Sequence, residues 1–169
     1  MTTWQELVER LEMQPHPEGG FFKESYRASG MIPAQARKKL GHKDARQFST
    51  AIYYLLPAGA TSKLHRMASD EIFHFYLGGP MTLVKLGPKG EVQTVVLGQD
   101  LAAGQQLQHV VRAGWWFGGW CEEGSPFSLV GCTVSPGFDF TDFKLGDDEA
   151  LLGQYPSARP HIEKLRRSK

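Results

Sequence analysis

The chain has 169 residues, 41% of them apolar, with 19 Lys and Arg against 18 Asp and Glu. That length suits one domain able to bury a core without staples, and the balance of charge excludes the strong basic field that draws proteins to nucleic acid or anionic membrane. Two cysteines, Cys121 and Cys132, are too few for a disulfide framework or a zinc ribbon. They are read as free thiols, with Cys132 buried in an apolar strand.

MTTWQELVERLEMQ carries charges at short intervals and no apolar run, and no stretch of the chain reaches about 18 uninterrupted apolar residues. The expectation is a cytoplasmic protein, neither secreted nor membrane-spanning. Thr3 and Glu6 match a capping box, and Trp4, Leu7, Val8 and Leu11 recur at helical spacing, so a helix is predicted over about 3–13. Pro15 and Pro17 stop it. His16-Pro17-Glu18-Gly19-Gly20 is a turn-rich segment, with no lysine or strand-to-helix context to make it a phosphate loop, and 21–27 reads as a strand.

Between Gly30 and Arg46 the chain is polar and basic (Arg37, Lys38, Lys39, Lys43, Arg46) without clear periodicity, as in a solvated loop or hairpin. From Phe48 onward, runs rich in Tyr, Phe, Val, Ile and Thr (FSTAIYYLL, IFHFYL, MTLVKL, VQTVVL, LQHVV, FSLVGCTV) alternate with Gly/Pro turns. At least six short strands at that spacing predict a sandwich or barrel over about 20–145. The C-terminal part, about 147–167, is expected to hold short helices, the first with acidic residues in its opening turn. Asp139, Asp142 and Asp148 lack the spacing of a calcium loop and read as solvated surface.

One stretch narrows the field. Gly59, five residues, His65-Arg66-Met67, three residues, Glu71, six residues, Gly78 resembles the first motif of the cupin superfamily, a glycine, a His-x-His pair, a glutamate and a second glycine. Residues two apart in a strand share a face, so positions 65 and 67 are expected to point into the barrel. Met67 stands where the family has its second metal-binding histidine, and a thioether is a poor ligand for hard or borderline divalent ions. In the place of the second motif, Arg112-Ala113-Gly114-Trp115-Trp116-Phe117 keeps the glycine and puts Phe117 where the third histidine belongs. No cofactor is therefore expected. A divalent metal, if any, would fall to His65 and Glu71.

HPEGGFFKESYR, LHRMASDEIFHFYLGG and FSLVGCTVSPGFDFTDF extend the likeness to nearly the whole chain, which is similar to a small cupin branch of unknown function and resembles the rhamnose-epimerase-like cupins. The resemblance implies a mainly β fold: a cupin-type antiparallel β-barrel, or jelly roll, with an N-terminal helix, short C-terminal helices and a homodimeric assembly. It brings no established reaction.

His65 is the first site candidate and Glu71 its partner, since a carboxylate inside a barrel needs one and such a pair can serve as base and acid. Alternation sets Glu71, Phe73 and Phe75 on one face and Ile72, His74 and Tyr76 on the other, so His74 reaches the pocket only through a bulge. Phe73, Phe75, Trp115 or Trp116, and Phe117 suggest aromatic walls. Of Gln108 and His109 one must face inward, and the resemblance favours Gln108. The implied functions are an isomerase or epimerase on a carbohydrate-like compound, a non-catalytic small-molecule binding protein, and a metal-dependent dioxygenase, against which the two absent histidines argue. The expected partner is a small molecule, not nucleic acid or membrane.

Overall fold

A computed structural model describes residues 2–166. Two antiparallel sheets face each other. The chain opens with α1 (Trp4–Arg10), β1 (Gln14–Pro15) and β2 (Phe21–Arg27), passes through α2 (Ala34–Lys39), and continues with β3 (Thr50–Pro57), β4 (Thr61–Arg66), β5 (Asp70–Gly78), β6 (Met81–Leu86) and β7 (Val92–Leu97). β8 (Gln108–Val111), β9 (Trp116–Cys121), β10 (Phe127–Ser135) and β11 (Lys144–Leu145) follow, then α3 (Asp148–Gln154) and α4 (Arg159–Arg166). One sheet has six strands in the order β1-β2-β3-β10-β5-β8. The other has five, β11-β4-β9-β6-β7. This is the jelly roll that the cupin resemblance implies, and it meets the sandwich or barrel that the strand spacing predicts.

The period-two alternation of the strands sorts the apolar residues into separate layers. Tyr54, Leu56, Met67, Phe73, Leu83, Phe117 and Cys132 fill the space between the sheets. On the back of the five-stranded sheet, Leu64, Val84, Leu86, Trp116 and Trp120 are covered by Leu151, Leu152, Ile162 and Leu165 of α3 and α4. On the back of the six-stranded sheet, Leu55 and Leu129 receive Leu7, Val8 and Leu11 from the N-terminal segment. Both ends of the chain therefore act as covers for sheet faces.

Thr3 and Glu6 close the expected capping box at the start of α1, a device worth about 1 kcal/mol. The helix ends at Arg10 rather than near Met13 because Glu12 takes a positive φ of 51° and turns the chain toward β1. Among the described residues no helix is long and apolar enough to cross a membrane. Arg167, the last residue of the predicted C-terminal helix, lies outside the described residues.

The basic segment departs most from expectation. It contains α2, and it buries His42 (3% exposed) and Arg46 (1% exposed). Arg46 forks onto Asp142, Nε to Oδ2 and Nη2 to Oδ1 at 2.9 Å each, and also donates to Thr141 Oγ1 at 2.6 Å. His42 Nδ1 lies 2.9 Å from Asp142 Oδ2. A guanidinium so engaged is sealed by its hydrogen bonds, not solvated, and Asp142 correspondingly is not free acidic surface.

Candidate functional site

The site begins with a glycine turn. Gly19 and Gly20 have φ of +114° and +70°, and a Cβ at Gly19 would strike the Thr61 carbonyl, so only glycine lets this backbone approach β4 so closely. The turn closes on itself through Gly19 N–H to His16 O at 3.0 Å. It is pinned to the barrel by Lys63 N–H to Glu18 O at 2.8 Å and by the Tyr54 hydroxyl donating to Gly19 O at 2.8 Å. Glu18 is thereby carried into the barrel, where it is 8% exposed.

There it meets His65. Nδ1 of His65 lies 2.8 Å from the Lys63 carbonyl, which can only accept, so Nδ1 carries the hydrogen and a neutral ring presents a lone pair at Nε2. That Nε2 lies 3.1 Å from Glu18 Oε2. His16 Nδ1 spends its lone pair on the Glu18 amide at 3.3 Å and stands 3.4 Å from the same Oε2 with no hydrogen to offer it. The acceptor Nε2 of His65 facing that carboxyl oxygen calls for a proton on the oxygen. Ser62 Oγ donates to the other, Oε1, at 2.8 Å.

The electrostatics agree. Burial pushes the Glu18 carboxyl up from its ordinary value and the His65 imidazole down to about 4. No arginine or lysine approaches Glu18 within ion-pairing distance among the described residues, and His16 with the Ser62 and Tyr54 hydroxyls offsets only part of the cost of a buried anion. Glu71, 6% exposed, lines the same cavity, and burial raises its carboxyl to about 8, with repulsion from Glu18 adding to it once Glu18 has ionised. Its neighbour is Cys132, whose thiol burial also pushes up.

The cavity holds about 200 Å³ and is walled by Phe22, Tyr54, Phe138, Phe140 and Phe143. The last three belong to a strap between β10 and β11. Arg27 Nη1 grips the Phe138 carbonyl at 3.2 Å, and Arg46 grips Thr141 and Asp142. His16 packs edge-on to Phe22 at 4.7 Å between centroids and stacks near Phe140 at 6.1 Å. Asp139 also borders the cavity, contrary to the expectation of plain solvated surface.

The predicted site residues fall in three places. His65 and Glu71 share the cavity, but no hydrogen bond or ion pair joins them; the carboxyl beside His65 is Glu18, because the glycine turn delivers it to Nε2. Phe73 and Phe117 point inward yet form packed core behind the cavity, Phe117 lying 4.1 Å from the His65 ring and 6.0 Å from Phe73 between centroids. Phe75 packs against that core. Trp116 faces the helical cover instead, with Arg66 over its ring at 4.7 Å. Gln108 and His74 are on the outer face of the six-stranded sheet, joined Nε2 to Nδ1 at 2.9 Å, and His74 Nε2 contacts Thr133 Oγ1 at 3.0 Å. His109, not Gln108, points in.

A cupin metal does not fit this donor set. Met67 is a buried core thioether, Phe117 occupies the place of an imidazole, and the Nε2 of His65 is engaged by Glu18. Among the described residues no group of three or more His, Cys, Asp or Glu is arranged to hold a metal ion.

The family profile described as "Cupin superfamily (DUF985)" matches residues 5–146. The chain belongs to that family. The protein YML079W of Saccharomyces cerevisiae, described as uncharacterized, is 32% identical over 155 residues, which span 86% of this chain and 77% of that one. Among solved structures, protein SO0799 of Shewanella oneidensis superposes with a TM-score of 0.87 at 39% identity over 100% of both chains. A hypothetical protein from Leishmania major gives 0.84 at 28% identity, covering 99% of this chain and 98% of that one. This cupin family thus has the jelly roll seen here.

Proposed function

We propose that the protein is an isomerase or epimerase that moves protons beside the carbonyl group of a small, carbohydrate-like compound. The observation that carries this reading is the contact between Glu18 Oε2 and His65 Nε2 at 3.1 Å inside a partly open, aromatic-walled cavity. A neutral carboxyl and a neutral imidazole side by side form a proton donor and a proton acceptor that coexist at neutral pH.

In the proposed step the Glu18 carboxyl gives its proton to the substrate carbonyl oxygen while His65 Nε2 takes the proton from the adjacent carbon. The C–H electron pair becomes the C=C bond of an enol, and the pair ends as carboxylate and imidazolium, ready to run the reverse transfer. Glu71, with its carboxyl at about 8, carries a proton at neutral pH and can donate a hydrogen bond to oxygen as negative charge develops there. The cavity is smaller than the roughly 300–1,000 Å³ of pockets for drug-sized ligands, which favours a compact substrate. Stacking on Phe140 and Phe143 would hold a ring or a carbon backbone.

The test is solvent exchange. The purified protein is incubated in deuterium oxide with a panel of hydroxy-aldehydes and hydroxy-ketones, and deuterium entering the carbon next to the carbonyl is followed by proton NMR. Exchange with at least one compound, lost in both Glu18→Gln and His65→Gln, supports the proposal. A second reading, a non-catalytic binding protein, is favoured by the four phenylalanines of the lining. Absence of exchange with a compound that copurifies tightly with the native protein would establish that reading and refute the enzyme.

A further inference from the structure

The barrel interior has a second polar end. In-register partners on neighbouring antiparallel strands share a face. On the five-stranded sheet one transverse row runs from His65 on β4 through Phe117 on β9 and Lys85 on β6 to Gln93 on β7. On the facing sheet the corresponding row runs from Ile52 through Cys132 and Phe73 to His109 on β8. Phe73 and Phe117 meet edge to face in the middle, with Met67 packed in the same core. His65 and Cys132 lie on one side of this partition, in the cavity already described. Lys85 and His109 lie on the other, in an open recess of about 430 Å³ completed by Gln93, Gln108, Arg112 and Trp115.

This recess holds one unmatched cationic donor and one unmatched ring nitrogen. Lys85 is 7% exposed, and no carboxylate stands within 4.0 Å of its ammonium among the described residues. Its one evident compensation is the Trp115 ring, 5.4 Å from ammonium to centroid, a cation–π contact. His109 Nδ1 is held at 2.8 Å from the Gln106 side-chain oxygen, while its Nε2 is buried without any hydrogen-bond partner. The neighbouring acids are committed elsewhere: Asp70 to Arg112 and the Ala113 amide, each at 2.8 Å, and Glu91 to the Lys89 amide at 2.8 Å. A largely buried lysine without a counter-ion and a buried orphan nitrogen are each costly, and one anion between them, bound together with a proton on His109 Nε2, would relieve both.

The geometry points to a small-oxyanion site in this recess, where a carboxylate or phosphate monoester is held between Lys85 Nζ and His109 Nε2 beside Trp115. It is separate from the Glu18–His65 cavity and does not depend on the chemistry proposed there. Burial, with Lys85 nearby, holds His109 down at about 4, so its ring is neutral at neutral pH in the free protein. A bound anion favours the protonated ring. Binding therefore takes up a proton and strengthens as the pH falls. Burial also lowers Lys85 from its ordinary value, and Asp70 is held by Arg112 and the Ala113 amide.

The test uses the full chain with acetate and methyl phosphate as separate probes, following the ring signals of His109 and His65 by NMR. The expected result is a saturable shift of His109, with its titration midpoint moving up in the presence of the anion and His65 unmoved. Affinity should fall by at least about tenfold in both Lys85→Met and Lys85→Gln, each checked for folding by circular dichroism; the probe that binds more tightly identifies the class of oxyanion. No saturable shift of His109 with either probe, the same affinity in a folded Lys85 variant, or His65 moving in step with His109 would each overturn the proposal.

Discussion

His42 and His65 each bring a ring nitrogen close to a carboxylate oxygen, at 2.9 Å from Asp142 and 3.1 Å from Glu18. The two surroundings differ in one ingredient. Asp142 also receives both arms of the Arg46 guanidinium, whereas Glu18 receives a serine hydroxyl and faces the imidazole lone pair of His65. With its cation the first cluster is an ionic clasp that holds the strap. Without one, the second is an uncharged donor–acceptor pair inside a cavity. The same two residue types thus give structure in one place and proton-transfer capacity in the other.

Breaking the clasp should have the largest effect. Arg46→Met leaves Asp142 and Thr141 without their donor and should cost about 3 kcal/mol in urea unfolding, the low end for a broken buried pair because the cluster lies just beneath the surface. A loss under about 1 kcal/mol would remove the clasp from the account. Asp142→Asn keeps the shape, loses only the charge that Arg46 requires, and should cost about 2 kcal/mol.

Next comes the pH dependence of the cavity. Glu71 is raised from 4.5 to about 8, so between those values the unfolded chain has released a proton that the folded chain retains, and stability falls as pH rises. His65, lowered from 6.5 to about 4, acts oppositely, its contribution being complete above 6.5 and lost as pH falls toward 4. The two oppose each other below 6.5. From 6.5 to 8, Glu71 should dominate. Glu71→Gln should therefore flatten the decline and gain roughly 2 kcal/mol on the parent between pH 6.5 and pH 8, at about 1.4 kcal/mol per pH unit. Parallel stability curves for the two proteins over that interval would show that Glu71 ionises normally.

The smallest effect sharpens the comparison most. Glu18→Gln supplies an amide N–H in place of a carboxyl O–H, so its stability change at neutral pH should stay under about 1 kcal/mol, against the larger cost of Asp142→Asn. Equal penalties for the two amide substitutions would mean that Glu18 is an anion as well.

The fold was legible because strand spacing, turn residues and the motif at 59–78 act locally and agree with one another. Alternation placed Glu71, Phe73 and Phe75 inward and His74 outward correctly. The cavity was less legible, because its decisive contacts join distant segments. Glu18 reaches His65 only through the special turn at Gly19-Gly20, and the aromatic wall comes from Phe138, Phe140 and Phe143 on the far strap rather than from the motif strands. The signal lies in HPEGG and PGFDFTDF, where a glycine turn and an aromatic run are visible in the sequence but the distant partners they meet are not. Arg46 was missed for a similar reason: a basic run reads as solvated until the acid that buries it, almost a hundred positions later, is in place.

The account rests on an uncharged Glu18–His65 pair, and nitrogen-15 NMR of the imidazole rings at pH 7 examines it most directly, with His65→Gln assigning the signal. The prediction is a neutral His65 ring carrying its hydrogen on Nδ1, bonded to the Lys63 carbonyl, with an unprotonated Nε2 that gains a proton only as the pH approaches about 4. An imidazolium at pH 7, with both nitrogens protonated, would contradict it and make the pair a second ionic clasp.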